Sequence, residues 1–164
     1  MTITVQGQTR EYPSGTTFYE IAMQHQAEIP HEILLSKLDS KLYELHKRIP
    51  EKGGEISFVT GADKEGHMAY QRSAIFMMLK AFYHLCADVK DFGVVVDYTL
   101  GGGFYCYLNG GVEVTEALLA EVKQTMEAYR DQKIPIMKKS VQTDEAIQMF
   151  REVGMTSKER LFHY

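Results

Sequence analysis

Apolar and polar positions along this chain change their period several times, and each change marks an element. Ile3 and Val5 alternate with Thr2, Thr4 and Gln6, the period-two pattern of a strand with one buried face. Gly7 supplies a turn, and Thr9 to Tyr12 return as a second strand. Pro13-Ser14-Gly15 then break the sheet. Thr17 followed three residues later by Glu20 fits a capping box, in which each side chain satisfies an orphan N–H at a helix start. The helix is predicted to reach about His25, with Phe18, Ile21 and Ala22 on one face. Pro30 ends the next loop. Ile33 to Lys37 and Lys41 to Leu45 are short strand candidates around Asp39-Ser40. Gly53-Gly54 is a second turn, and Glu55 to Thr60 a strand with Ile56 and Phe58 on one face and Val59 on the other.

That order, two strands, a helix and further strands, is the order of a β-grasp (ubiquitin-like) module. Thr60-Gly61-Ala62-Asp63 reads as a short linker after it. A long helix is predicted from about Lys64 to Cys86, because Met68, Ile75, Met78, Leu79, Phe82 and Cys86 recur at helical spacing; plain core packing explains such a stripe. Phe92 to Leu100 and Phe104 to Leu108 form a hairpin about Gly101-Gly102-Gly103. Thr115 caps a helix to about Asp131, with Leu118, Leu119, Val122, Met126 and Tyr129 on one side. Pro135 to Val141 reads as an edge strand, since proline cannot donate to a ladder. Thr143 is expected to cap a helix over Asp144 to Val153, which Gly154 stops, and Lys158 to Phe162 begins a further strand. The expected fold class is α+β: a β-grasp domain over residues 1–61, then a domain over residues 64–164 with helices packed on an antiparallel sheet.

Composition narrows the class. The 164 residues are 45% hydrophobic and 24% charged, the values of a globular chain. The longest apolar run, Ala74 to Leu79, is far short of the roughly 20 residues that span a bilayer. No basic and apolar leader opens the chain, and Cys86 and Cys106 are too few for a disulfide scaffold, so a reducing cytoplasm and no membrane partner are expected. The 18 basic and 22 acidic groups leave a net charge of −4. Residues 1–62 hold 6 basic and 8 acidic groups and residues 63–164 hold 12 and 14, so no basic half is hidden. RNA binding by this chain alone is expected to be weak, because phosphate neutralisation supplies non-specific affinity.

The motifs are sparse. Gly101-Gly102-Gly103 lacks the G-x-x-x-x-G-K-[ST] pattern of a phosphate cradle and fits a hairpin turn. The histidines (His25, His31, His46, His67, His84 and His163) include no pair three or four apart on one helix, as a helical metal site requires. His84 and Cys86 point to different helix faces. Asp88, Asp91 and Asp97 are scattered and form no acid–base pair. Lys133, Lys138 and Lys139 make a small basic cluster; on a strand, Lys138 and Lys139 would face opposite ways, as a solvated edge that discourages edge pairing.

Thr2 to Gly61 resembles a TGS domain, the β-grasp module of threonyl-tRNA synthetase, GTPases and stringent-response enzymes. The likeness rests on Ile3-Thr4-Val5, on Tyr12-Pro13-Ser14-Gly15-Thr16-Thr17 ahead of the helix, and on Ile21-Ala22. From Glu65 onward the chain is similar to the editing domain that follows TGS in threonyl-tRNA synthetase, through the long helix, Gly103-Phe104-Tyr105 and Phe150-Arg151-Glu152-Val153-Gly154. That family carries a His-x-x-x-His pair early in the long helix. Aligned through Ser73-Ala74, the same positions here are Arg72 and Phe76. A guanidinium is no neutral base or ordinary ligand, and a phenyl ring is neither. The family's Cys-x-x-x-His cluster would fall beyond Tyr164, and Lys158 matches a pocket lysine. The resemblance thus implies vestigial editing-pocket positions at Arg72, Phe76 and Lys158, with no catalytic, cofactor-binding or metal residue in the chain.

The same tandem with an altered histidine pair is similar to the N-terminal region of bacterial uridine kinase-like proteins, and the hairpin from Tyr98-Thr99-Leu100 to Tyr105-Cys106-Tyr107 carries that likeness. It implies a non-catalytic regulatory or ligand- or RNA-recognition region of a nucleoside kinase. ATP and Mg²⁺ would then belong to a P-loop kinase domain outside this chain, which would also be its partner. The alternative is an aminoacyl-tRNA editing (deacylase) domain of a threonyl-tRNA synthetase-like protein. A third reading is a module sensing RNA, tRNA or a nucleotide, through the β-grasp fold and Lys133, Lys138 and Lys139. A natural chain longer than 164 residues is expected. The ligand of the TGS module and the oligomeric state are not legible from sequence.

Overall fold

A computed structural model of the chain describes residues 1–162, apart from the side chains at 156 and 157. It contains two compact units; the first ends at Ala74 and the second begins at Ile75. Among the described residues no helix is long and apolar enough to cross a membrane.

The first unit is a five-stranded mixed sheet with one helix on it. Its elements are β1 (Thr2–Val5), β2 (Gln8–Glu11), α1 (Phe18–His25), β3 (Ile33–Leu38), β4 (Lys41–Glu44) and β5 (Gly54–Thr60). The strand order is β2-β1-β5-β3-β4, with β1 parallel to β5 and the other pairs antiparallel, which is the β-grasp arrangement. The first hairpin turns on Gln6 and Gly7, both at positive φ, the two-residue geometry that matches strand twist. Alternation puts Ile3, Val5, Leu38 and Ile56 in one cluster with Phe18 and Ile21 of α1; all are buried, and Phe18 stacks on Tyr43 at 4.8 Å.

The capping box of α1 forms as its spacing predicts. The Thr17 hydroxyl accepts from the Glu20 amide, and the Glu20 carboxylate accepts from the Thr17 amide at 2.7 Å. Two further orphan amides find carbonyls in the connection after β4: Phe18 donates to Lys47 (3.0 Å) and Tyr19 to Leu45 (2.8 Å).

The linker read at Thr60 to Asp63 is a tight hydrogen-bonded turn. The Thr60 amide and hydroxyl both donate to the Asp63 carboxylate, at 2.7 and 2.8 Å. Helix α2 (Lys64–Leu85) follows at once. A Cβ on Gly66 would lie 1.9 Å from the Thr60 carbonyl oxygen, so only glycine permits this approach. Lys37 of β3 reaches Glu65 in the first turn of α2 at 2.9 Å. The boundary drawn from sequence at residues 61–64 is this turn, whereas the compact units divide within α2.

The second unit holds the rest of α2, then β6 (Gly93–Leu100), β7 (Gly103–Asn109), α3 (Glu116–Asp131), α4 (Thr143–Glu152) and the short α5 (Thr156–Arg160). Ala81 and Phe82 of α2, Val94 of β6 and Val122 of α3 form its buried centre, with Leu79, Leu108, Leu118 and Met126 packed around them. The Thr115 cap forms, its hydroxyl accepting from the Leu118 amide at 3.2 Å.

The class α+β holds, but three local expectations fail. Residues 134–142 form no strand; Pro135 offers no donor, and residues 134–140 are all exposed. The described sheet of this unit is therefore the β6–β7 hairpin alone, not a broader one. Thr143 is the first helical residue of α4, and Gln142 takes the cap position with no side-chain bond. Lys158 begins no strand: the chain leaves Gly154 (φ 70°) and coils into α5, where Glu159 pairs with Arg151 at 2.7 Å.

The α1 cap should be measurable on its own. Thr17→Ala is expected to lower unfolding free energy by about 1 kcal/mol, read from the urea midpoint at unchanged slope. Acid should act on the same unit. The carboxyls of Glu20, Asp39 and Asp63 are held below their ordinary range, chiefly by the amides of Thr17, Glu55 and Thr60 respectively. Depressed carboxyls stabilise the fold above their unfolded pKa and lose that contribution as pH falls through the folded value. The urea midpoint is therefore expected to be flat near neutrality and to fall as pH drops below about 4.

Candidate functional site

The positions carried over by resemblance lie on two helices. Arg72 and Phe76 sit one turn apart on α2, and Lys158 is on α5. All three are exposed, Phe76 at 54% of its surface. Arg72 belongs to the first compact unit, and Phe76 and Lys158 to the second. The buried positions of this stretch lie elsewhere, at Ala81, Phe82 and Cys86. An exposed guanidinium keeps its charge and its fork of donors, which suits phosphate or carboxylate; it does not abstract a proton near neutrality. An exposed phenyl ring offers area for stacking and no acid–base chemistry.

The other candidates from sequence differ in their surroundings. His84 is exposed while Cys86 is buried, and burial pushes the Cys86 thiol up, away from the reactive thiolate. Cys106 is half-buried, its Sγ 3.8 Å from the Phe104 carbonyl. His25 leans on Phe58, with Nδ1 3.2 Å from Glu28. Asp88, Asp91 and Asp97 are solvated. Among the described residues no group of three or more His, Cys, Asp or Glu could hold a metal ion. His163 lies outside the described residues.

Gly101 and Gly102, both at positive φ, form the two-residue loop closed by the Leu100–Gly103 pair. The triple glycine is thus a hairpin turn. Lys138 and Lys139 do not stand on opposite faces of a strand, because residues 134–142 form none; Lys139 pairs with Glu145 at 3.1 Å.

One surface was not legible from sequence. Val96 pairs with Cys106 and Thr99 with Phe104, so β6 carries one extra residue between them, a bulge. It sets Tyr98 against Tyr105, with rings stacked at 5.0 Å and 15°, and Tyr107 follows at 6.4 Å. The three rings are 51%, 46% and 41% exposed. The alternation of Tyr105 and Tyr107 is visible in sequence, but the bulge that adds Tyr98 has no sequence signature.

Fold and site together define an α+β chain with a β-grasp unit, a hairpin-and-helix unit and no assembled acid–base constellation among the described residues. No family model matches the chain. Over 148 residues, 90% of its length, it is 29% identical to the threonine–tRNA ligase of Bacillus velezensis. It is 28% identical to threonine–tRNA ligase 1 of Bacillus subtilis over 148 residues, again 90% of the chain. With the threonine–tRNA ligase of Carboxydothermus hydrogenoformans it shares 27% over 154 residues, 94% of the chain. The chain spans 22%, 22% and 24% of these relatives respectively, less than a quarter of their length.

These similarities overturn the kinase reading. They run through both compact units to threonine–tRNA ligases, and the link to a uridine kinase-like protein, with a kinase domain as partner, has no support. The hairpin sequence that suggested it is short, and its outward tyrosines are not fixed by the core.

The exposure of the carried-over positions predicts a contrast in stability. Arg72→Ala and Phe76→Ala are each expected to stay within about 0.5 kcal/mol of the parent chain. Phe82→Ala, in the core of the second unit, should cost about 3–5 kcal/mol. Urea unfolding of the three variants checks this.

Proposed function

We propose that the chain is the tRNA-recognising TGS and editing-like region of a threonyl-tRNA synthetase-like protein, one that binds aminoacylated tRNA without hydrolysing it through a histidine pair. The observation that carries this reading is the similarity to threonine–tRNA ligases across about nine-tenths of the chain, through both units. The second part follows from chemistry at two positions. Where the editing family has its histidines, this sequence has Arg72 and Phe76. Arg72 would donate to an RNA phosphate, Phe76 would offer a stacking face, and Lys158 would act as a point charge. With a net charge of −4, affinity would depend on such local cations rather than on the overall field.

Titration of the chain with tRNA at low salt tests the first part, and deacylation of mischarged aminoacyl-tRNA tests the second. The expected result is salt-dependent binding with no deacylation. Arg72→Ala should weaken binding severalfold and reduce the salt slope by about one. Absence of binding at low salt would sink the reading. Deacylation that disappears in Arg72→Ala would restore a hydrolytic role and overturn the second part.

A further inference from the structure

Two surfaces of the second unit complement one another. The hairpin carries the outward rings of Tyr98, Tyr105 and Tyr107, and its two strands each have an edge without a ladder partner among the described residues. The hairpin carries one carboxylate, the exposed Asp97, and no basic residue, and the segments that flank it in sequence, residues 86–92 and 110–117, hold four more carboxylates against Lys90. The second surface is the stretch from Ile134 to Val141. It adopts no regular element, and Ile136 and Met137 are 59% and 83% exposed. Residues 132–141 hold Lys133, Lys138 and Lys139 and no carboxylate. One surface is thus acidic and aromatic with open edges, and the other is basic and apolar with a strand-like sequence.

We propose that the Ile134–Val141 stretch docks as an added edge strand on the β6–β7 hairpin of a second copy of this chain, and that reciprocal exchange closes a two-fold dimer. Length fits: eight extended residues span about 26 Å, close to the about 23 Å of seven-residue β7. Pro135 is tolerated there, since an added strand is an edge and needs donors on one side only. The apolar side chains explain why a second hairpin, rather than a polyanion, is the partner; phosphates would use the lysines and leave Ile136 and Met137 in water. The stretch is also held at both ends within its own chain. Ile134 donates its amide to the Tyr129 carbonyl at 3.1 Å, and Lys139 pairs with Glu145 at 3.1 Å. Because each copy offers one strip and one hairpin, reciprocal exchange pairs each strip with one hairpin edge and closes the assembly at two copies.

Sedimentation equilibrium of the whole chain, from roughly micromolar to roughly 0.3 mM, tests this. The expected result is a monomer–dimer equilibrium weakened about tenfold or more by Met137→Glu and by raised salt. Met137 makes so little contact that its substitution should leave the circular dichroism unchanged. Asp97→Lys should also weaken the dimer, and Lys138→Glu in that background, which leaves the Lys139–Glu145 pair intact, should restore part of it, which a general loss of folding would not do. A monomer at every concentration overturns the proposal, as does a dimer indifferent to Met137→Glu. Hydrogen-exchange protection of residues 134–141 that does not change with concentration would place the strip on its own hairpin and overturn it equally.

Discussion

The first unit depends on how the amino end of α1 disposes of its unpaired amides. The first N–H groups of a helix have no partner inside it, and leaving them dry is costly. Here Thr17 and Glu20 satisfy one another's amides, and the carbonyls of Leu45 and Lys47 accept from Tyr19 and Phe18. Those two carbonyls lie in the connection between β4 and β5. The bonds therefore fix where that connection passes, and Ile49, whose amide donates to the Thr16 carbonyl at 2.9 Å, is carried into the core with Phe18. A local motif thus sets a contact between distant parts of the chain, and the hydrophobic cluster closes around it.

Among the described residues the second unit has no comparable lock in its sheet. Its helices supply their own backbone pairs, and Phe82, Val94 and Val122 supply a core, but the described sheet stops at two strands. A two-stranded ribbon is marginal alone and gains its stability from what packs on it. Here one face packs through Val94 and Leu108, while the other presents tyrosines to solvent. Helices beside a hairpin whose tyrosine face is exposed among the described residues form an arrangement suited to recognition, because binding can bury aromatic area without first displacing a protein neighbour.

How much was legible in the sequence follows the same division. In the first unit the alternation of Ile3 and Val5, the Thr17–Glu20 spacing and the glycines at 7 and 53 specify strand faces, helix start and turns locally, so each could be read. In the second unit the helices were legible for the same reason, through the stripe ending at Phe82 and Cys86 and the cap at Thr115. Residues 134–142 were not. A strand is a relation between two segments, and no feature of Ile134-Pro135-Ile136 says whether a neighbour edge is present. Thr143 failed as a cap for a subtler reason. Cap-forming residues compete over a single turn, and a shift of one position makes Thr143 the first helical residue without changing the helix. Of the candidate site, Arg72, Phe76 and Lys158 could be named only by resemblance, and their exposure needed the fold. The Tyr98–Tyr105 stack stayed hidden because a bulge creates it.

Exposure also bears on what Arg72 and Phe76 mean under the proposed reading. A histidine pair that does acid–base work needs neutral imidazoles held in a fixed relation to a scissile bond. A permanent cation and a hydrocarbon ring in their place cannot transfer that proton, yet both are compatible with RNA contact. Arginine and aromatic rings are the side chains that hold phosphates and unstacked bases. Under the proposed reading the two residues would exchange hydrolysis for binding chemistry, at no cost to the fold because both side chains are exposed and neither is in a core cluster. Under that reading a region would give up a reaction and keep the chemistry that binds its substrate. The condition is that the replaced groups stand on the surface, as Arg72 and Phe76 do.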